Sequence, residues 1–173
     1  MRPFFVCNED GFRKNIQIVT QDWAEIFETH GEALYRFAYR LCGSRELSED
    51  AVQECFVSWV KAGRLAKPLR GPLRAYLYGA VRNQVFKALQ RARKTSELDV
   101  VSIAADQSGD VMKALQQLPE ASREALVLVC IEGFSYEEAA EILQVESGSL
   151  RVRVHRARKQ LREKLGMEVS SHD

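Results

Sequence analysis

Residues 133–161 read GFSYEEAAEILQVESGSLRVRVHRARKQL, and the reading of this stretch decides the fold. Gly133 stops the helical pattern that precedes it. Ser135 is followed three residues later by Glu138. This is the spacing of a capping box, in which a hydroxyl and a carboxylate satisfy free amides at a helix start. A short helix then runs to Leu143, a tight connection spans residues 144–147, and a last helix covers about residues 148–165. In that helix Leu150, Val154, Ala157, Leu161 and Leu165 recur every three or four residues and mark a core face. The remaining faces carry Arg151, Arg153, His155, Arg156, Arg158, Lys159, Arg162 and Lys164. A capped short helix, a tight turn and a basic amphipathic helix form a helix-turn-helix. The second helix of such a unit meets a major groove mainly through its N-terminal residues. That puts Ser147, Ser149, Arg151 and Arg153 nearest base edges, and His155, Arg156 and Arg158 nearer phosphates. The competing reading is a basic helix lying on a membrane or another protein.

Working upstream, a helical block begins near Val111, is interrupted by Pro119, and restarts over residues 123–132. Residues 95–110 are acidic, small and polar, which reads as a linker. The first half shows three further helical patterns. The first covers about residues 21–42, with Phe27, Leu34, Phe37 and Leu41 at helical spacing. The second starts at Ser48 as N-cap, with Val52, Cys55, Phe56 and Trp59 as its apolar stripe. The third covers residues 73–94, with Leu77, Val81, Val85, Ala88 and Leu89 facing inward. A loop punctuated by Gly63, Pro68, Gly71 and Pro72 separates the second and third. No stretch alternates long enough to argue a strand. The expected fold is all-α: two small helical domains, 21–94 and 111–165, joined by a flexible linker at 95–110, with an extension at 1–20 and a tail at 166–173.

The net charge is only +1, from 25 basic and 24 acidic side chains, so total charge points to no nucleic-acid partner. Its distribution does. From Cys55 to Ser96 there is no acidic residue, while Lys61, Arg64, Lys67, Arg70, Arg74, Arg82, Lys87, Arg91, Arg93 and Lys94 all fall there. Trp59, Tyr76, Tyr78 and Phe86 interleave with these cations. Cations with aromatics suit phosphate neutralisation and stacking on single-stranded bases. Each ring taken singly is more simply a core residue. Just before this block, Glu49, Asp50, Gln53 and Glu54 share one helix face. An acidic face beside a nucleic-acid-binding region fits a protein partner. A plain solvent face with acids placed by the helix dipole fits it equally.

Cys7, Cys42, Cys55 and Cys130 match no zinc or disulfide spacing and read as reduced thiols, three of them in apolar-periodic helical stretches. No catalytic set, metal cluster or Gly-rich phosphate loop occurs, so neither enzyme activity nor a cofactor or metal is expected. No apolar run approaches membrane-spanning length, and no secretory signal opens the chain. The expected location is the cytoplasm, without membrane insertion.

Taken together, SEDAVQECFVSW (48–59), RAYLYGAVRN (74–83), LPEASREAL (118–126), GFSYEEAA (133–140) and RVHRARKQLR (153–162), in this order and spacing, resemble extracytoplasmic-function (ECF) sigma factors of the sigma-70 family, over about residues 22–165. The resemblance implies an alternative sigma factor that directs core RNA polymerase to specific promoters and initiates transcription. It implies a region 2-like first domain and a region 4-like second domain. Glu49, Asp50, Gln53 and Glu54 would bind the clamp helices of polymerase β′, and the β flap is a further expected contact. Arg64, Lys67, Arg70, Arg74, Tyr76, Arg82, Asn83 and Lys87 would melt and read promoter DNA at the −10 element. Ser147, Ser149, Arg151, Arg153, His155, Arg156 and Arg158 would read the −35 element. An anti-sigma factor is implied as regulator. Three positions depart from the family pattern: Leu47-Ser48 for Asp-Ala, Gln144 for the turn Gly, and Val152 for Ser. Two alternatives compete. A lone helix-turn-helix regulator explains 111–165 but not the first domain. A sigma-like decoy for an anti-sigma factor has no need of the arginines in the last helix.

Overall fold

The computed structural model of the chain describes residues 16–17, 23–61, 69–94 and 109–166. Helix α1, Trp23–Cys42, ends where Gly43 turns left-handed at φ 73°. The tight turn leads straight into α2, Arg45–Lys61. The residue that starts α2 is Ser44, not Ser48. The Ser44 hydroxyl accepts the amide of Leu47 at 3.3 Å, so it satisfies a first-turn donor. Ser48 lies inside the helix, fully buried, where its hydroxyl donates back to the Ser44 carbonyl and sits 3.3 Å from the Cys42 thiol. The expectation failed because either serine can cap, and only packing shows which one is sealed from solvent.

Helix α3, Leu73–Lys94, has the bounds its pattern predicts. Leu77, Val81 and Val85 are fully buried, whereas Ala88 and Leu89 are only partly so. Phe27 is a second correction. It was expected inward, yet it is 45% exposed, and Ile26 takes the core position at 2%. The Phe27 ring rests edge-on against Phe56 at 5.1 Å, at the rim of the α1–α2 contact. Helices α1, α2 and α3 pack pairwise into a three-helix unit. A two-residue antiparallel pair, β1 (Ile16–Gln17) with β2 (Leu69–Arg70), is a small addition that alternation could not reveal at such length.

The second half opens with α4, Asp110–Gln116. Pro119 occupies the N-cap of α5, Glu120–Leu126, with φ −52°, so the helix restarts directly after the proline rather than near residue 123. Proline suits this place because its fixed φ is helical and a first-turn amide is spare anyway. Helix α5 runs on into a π turn, Val127–Ile131, closed by the Glu132 amide on the Val127 carbonyl at 2.9 Å. One extra residue in a turn rotates everything after it by about 100°. Gly133 at φ 71° then ends the segment, and the capping box forms as expected: the Glu138 amide donates to Ser135 at 3.1 Å, and the Ser135 amide to Glu138 at 2.9 Å.

Helix α6, Tyr136–Leu143, and α7, Ser147–Lys164, complete the helix-turn-helix. Gln144 takes the left-handed position at φ 55°, and the Val145 amide reaches back to the Ala140 carbonyl at 3.0 Å. The two halves share one contiguous apolar core, in which α3 packs on α6 and α1 packs on α4 and α5. An aromatic line crosses it: Phe37 to Tyr78 at 4.8 Å, then Tyr78 to Phe134 at 4.9 Å. No helix among the described residues is long and apolar enough to cross a membrane.

A left-handed conformation costs a non-glycine residue about 1–2 kcal/mol, part of which glycine returns through its larger unfolded entropy. Gln144→Gly is therefore expected to stabilise the fold by about 0.5–1 kcal/mol, a rise of a few degrees in the unfolding midpoint. Calorimetry or circular dichroism checks it; an unchanged or lower midpoint would show the turn to be unstrained.

Candidate nucleic-acid interface

Helix α7 is held by Leu150, Val154 and Ala157, each fully buried against α5 and α6. Burying that stripe leaves the opposite face of the first turns in solvent. Ser149, Arg151, Val152, His155, Arg156 and Arg158 are exposed, while Ser147 and Arg153 are half-buried. Arg151 is positioned by α6: it donates to Glu137 at 2.9 Å and lies 4.5 Å above the Tyr136 ring. Both contacts are solvent-exposed and worth little in stability. Their effect is to aim a guanidinium outward from the start of the helix. Val152 stands between Arg151 and Arg153 as an exposed apolar side chain, the chemistry that meets a thymine methyl. The sequence-predicted groove residues are thus brought to one accessible helix start.

The α3 residues are arranged differently. Lys87 is exposed, and Tyr76 is half-buried beside Trp59 at 6.1 Å. Asn83 donates to the Gly79 carbonyl on its own helix. Arg74 and Arg82 face the second half. Arg82 grips Glu124 bidentately, Nε to Oε1 at 2.8 Å and Nη2 to Oε2 at 3.1 Å. Arg74 donates to the Glu132 carbonyl and lies 4.0 Å above the Phe134 ring. Arg64, Lys67 and the Arg70 side chain, and the linker at 95–110 up to residue 108, lie outside the described residues. Tyr78 belongs to the core, as a single ring in this block was expected to.

On α2, Glu49, Asp50, Gln53 and Glu54 are all exposed and share one face, which continues into exposed Val57 and Val60.

Sequence reasoning missed Glu124 and Glu132. Glu124 is 5% exposed, and burial pushes its carboxyl above the usual range while Arg82 opposes that shift. The Glu132 carboxylate accepts from Arg40 at 2.8 Å and from the Tyr78 hydroxyl at 2.7 Å. Burial, with Glu132 beside it, holds the Tyr78 hydroxyl up at about 12. The available signal was the run EALVLVCIE at 124–132, where two acids bracket seven apolar residues. A charge at the edge of so apolar a run is tolerated when it finds a partner.

Comparison with known proteins gives the following matches. The family model for sigma-70 region 2 matches residues 26–95, and that for sigma-70, region 4 matches residues 108–161. The chain is 31% identical to the ECF RNA polymerase sigma factor SigE of Mycolicibacterium smegmatis, over 89% of this chain and 65% of that protein, so it spans just under two thirds of that relative. It is 30% identical to the RNA polymerase sigma factor CarQ of Myxococcus xanthus, over 90% of this chain and 94% of CarQ. Among solved structures, the sigma factor RpoE in complex with the anti-sigma factor NepR from Bartonella quintana superposes with a TM-score of 0.71 at 30% identity, covering 85% of this chain and 98% of that one.

The cysteines separate by environment. Cys42 and Cys55 are buried, and burial pushes the Cys55 thiol up to about 12. Cys130, expected on an apolar face, is exposed, with Arg158 Nε 3.2 Å from its sulfur. Mass-mapped alkylation of the native chain at pH 8 is expected to modify Cys130 on the order of 100-fold faster than Cys55. Equal rates would place Cys55 outside a sealed core.

Proposed function

The chain belongs to the ECF sigma factors of the sigma-70 family of transcription initiation factors, and from that premise we propose that it directs core RNA polymerase to specific promoters in the cytoplasm and opens them. The observation that carries this reading is the form of α7. A helix with three fully buried core residues presents Ser149, Arg151 and Val152 outward behind a left-handed turn. That is a duplex reader built on a rigid element.

The division of labour follows the chemistry of each face. Residues 111–165 form the unit that reads the −35 element. Arg151 and Arg153 address base edges, Ser147 and Ser149 the groove, and His155, Arg156 and Arg158 the backbone. Residues 21–94 form the unit for the −10 element, with 95–110 as the linker. Arg64, Lys67, Arg70, Arg74, Arg82 and Lys87 neutralise the strand, and Tyr76 and Asn83 meet its bases. Capturing unstacked bases offsets part of the cost of opening the duplex. The exposed α2 face, Glu49, Asp50, Gln53 and Glu54, meets a basic surface on the β′ clamp helices, and the β flap supplies a second hold. Because a related sigma factor is held by an anti-sigma factor, this chain takes one as its regulator.

Run-off transcription with purified core polymerase and no other sigma factor tests the whole reading: a specific transcript is expected, and none at saturating protein refutes it. Arg151→Ala is expected to lower initiation from a −35-dependent promoter roughly tenfold or more, the value of one good base contact. Undiminished initiation there refutes the groove assignment. Asp50→Ala is expected to weaken core-polymerase binding several-fold at unchanged helix content, since an acid that meets a basic partner surface contributes on this scale. Wild-type affinity refutes the role of the α2 face.

A further inference from the structure

The crest of α7, the line directly opposite its buried stripe, begins with an apolar side chain. Successive helix residues turn by about 100°, and Val152 lies two residues from both Leu150 and Val154, so it points about 160° away from each. Both of those residues are fully buried, whereas Val152 is 51% exposed. A single exposed valine is ordinary on a protein surface. Its place is what sets this one apart. It stands at the outermost point of the helix start, with exposed Arg151 on one flank and exposed Arg156 on the other.

Gly148 precedes Val152 by one turn on the same crest. It is exposed, and a Cβ built there would meet nothing within 4 Å. Its φ is not among the positive ones. Neither neighbouring atoms nor backbone conformation calls for a glycine, and a glycine weakens a helix. Helical side chains lean toward the N-terminus, so Val152 covers the turn that Gly148 leaves bare. The two together make a low apolar patch that another surface can approach closely. Valine is β-branched, and in a helix one rotamer dominates, so its two methyl groups are held in one orientation. Farther along the crest His155 and Lys159 are exposed. The apolar patch is thus confined to the turns that enter a groove first.

In the major groove the base edges present hydrogen-bond donors and acceptors, and the one apolar group among them is the 5-methyl of thymine. An apolar surface pressed on the other edges strips water from polar atoms and leaves them unpaired. We propose that Val152, over the bare turn at Gly148, selects one thymine of the −35 element by contact with its 5-methyl group. This contact rests on the −35 role proposed for α7 and names a base that its crest reads. Arg151 borders the patch, held by Glu137 at 2.9 Å and by the Tyr136 ring. Charged neighbours fix where the helix lies, and the methyl contact chooses the base at one position.

The test uses holoenzyme assembled from core polymerase and the full-length chain, at limiting concentration, on a promoter that it transcribes. Each thymine of the −35 element, on either strand, is replaced in turn by deoxyuridine, which removes the methyl group alone. Run-off transcription reads the effect. One replacement is expected to lower wild-type initiation about fourfold, the value of one buried methyl group. At that position 5-methylcytosine is expected to outdo cytosine by a similar factor. Val152→Ser, checked as folded by circular dichroism, is expected to be indifferent to the methyl group in both comparisons. Val152→Ile is expected to keep the discrimination. Gly148→Gln raises the crest while favouring the helix, and is expected to lower initiation and weaken the methyl factor. Three results overturn the proposal: a wild-type factor that tolerates deoxyuridine at every −35 thymine, a Val152→Ser variant with the wild-type methyl factor, or a Gly148→Gln variant equal to wild type in both initiation and methyl factor. Transcription itself keeps the two readings apart. A chain that yields no specific transcript with core polymerase loses the factor reading and the thymine contact with it. One that transcribes normally but ignores the methyl group loses the thymine contact alone.

Discussion

Taking a carboxylate out of water costs several kcal/mol unless cations and donors replace its hydration shell. Glu124 and Glu132 undergo that transfer at the junction of the two halves, and the groups that replace the water come from the first half: Arg82, Arg40 and Tyr78. The arrangement is reciprocal. Each acid makes the burial of the first half's cations tolerable, and each cation does the same for the acids. Around these pairs the apolar core closes without a seam, through Phe37, Tyr78 and Phe134. A buried ion pair adds little net stability, but breaking one by removing a single partner is costly. The junction is therefore specific in register and dependent on every member.

The π turn is what makes this geometry available. Residues 127–131 complete one wide turn before Gly133 reverses the chain. The added residue turns Glu132 toward α1 and α3 and leaves Phe134 to cover Arg74. The same segment then delivers Ser135 to cap α6. A single local irregularity thus sets both the interdomain contact and the start of the helix-turn-helix.

The two basic surfaces end in opposite conditions. On α7, Arg151 is braced by the exposed Glu137 and the Tyr136 ring, and Arg151, Arg156 and Arg158 remain open to solvent. On α3, Arg82 is gripped by the Glu124 carboxylate, and Arg74 is held by the Glu132 backbone carbonyl beneath the Phe134 ring. Sorting of charge along the sequence is real, but folding brings acids of the second half onto cations of the first. A surface that is one-signed in sequence is neutralised in space where the halves meet.

Local pattern was sufficient for what local physics controls. The capping box at Ser135, the end of α1 at Gly43, the bounds of α3 and the buried face of α7 each follow from hydrogen-bond demand or helical period within a few residues. The solvent-facing side chains of α7 were legible for the same reason: with Leu150, Val154 and Ala157 assigned to the core, the other faces have to be outside. What the sequence could not reveal is where a side chain's partner lies when that partner is 42 or more residues away. Ser44 rather than Ser48 starts α2 because tertiary packing sealed Ser48. Ile26 rather than Phe27 enters the core because neighbouring helices cover one side of α1 more than the other. By itself the sequence determined the helices, their amphipathic faces and the family chemistry they carry. Only the tertiary structure decided that Arg82 of α3 meets a carboxylate and Arg74 a backbone carbonyl, because the energy of a buried charge depends on what folding places beside it, not on its neighbours along the chain.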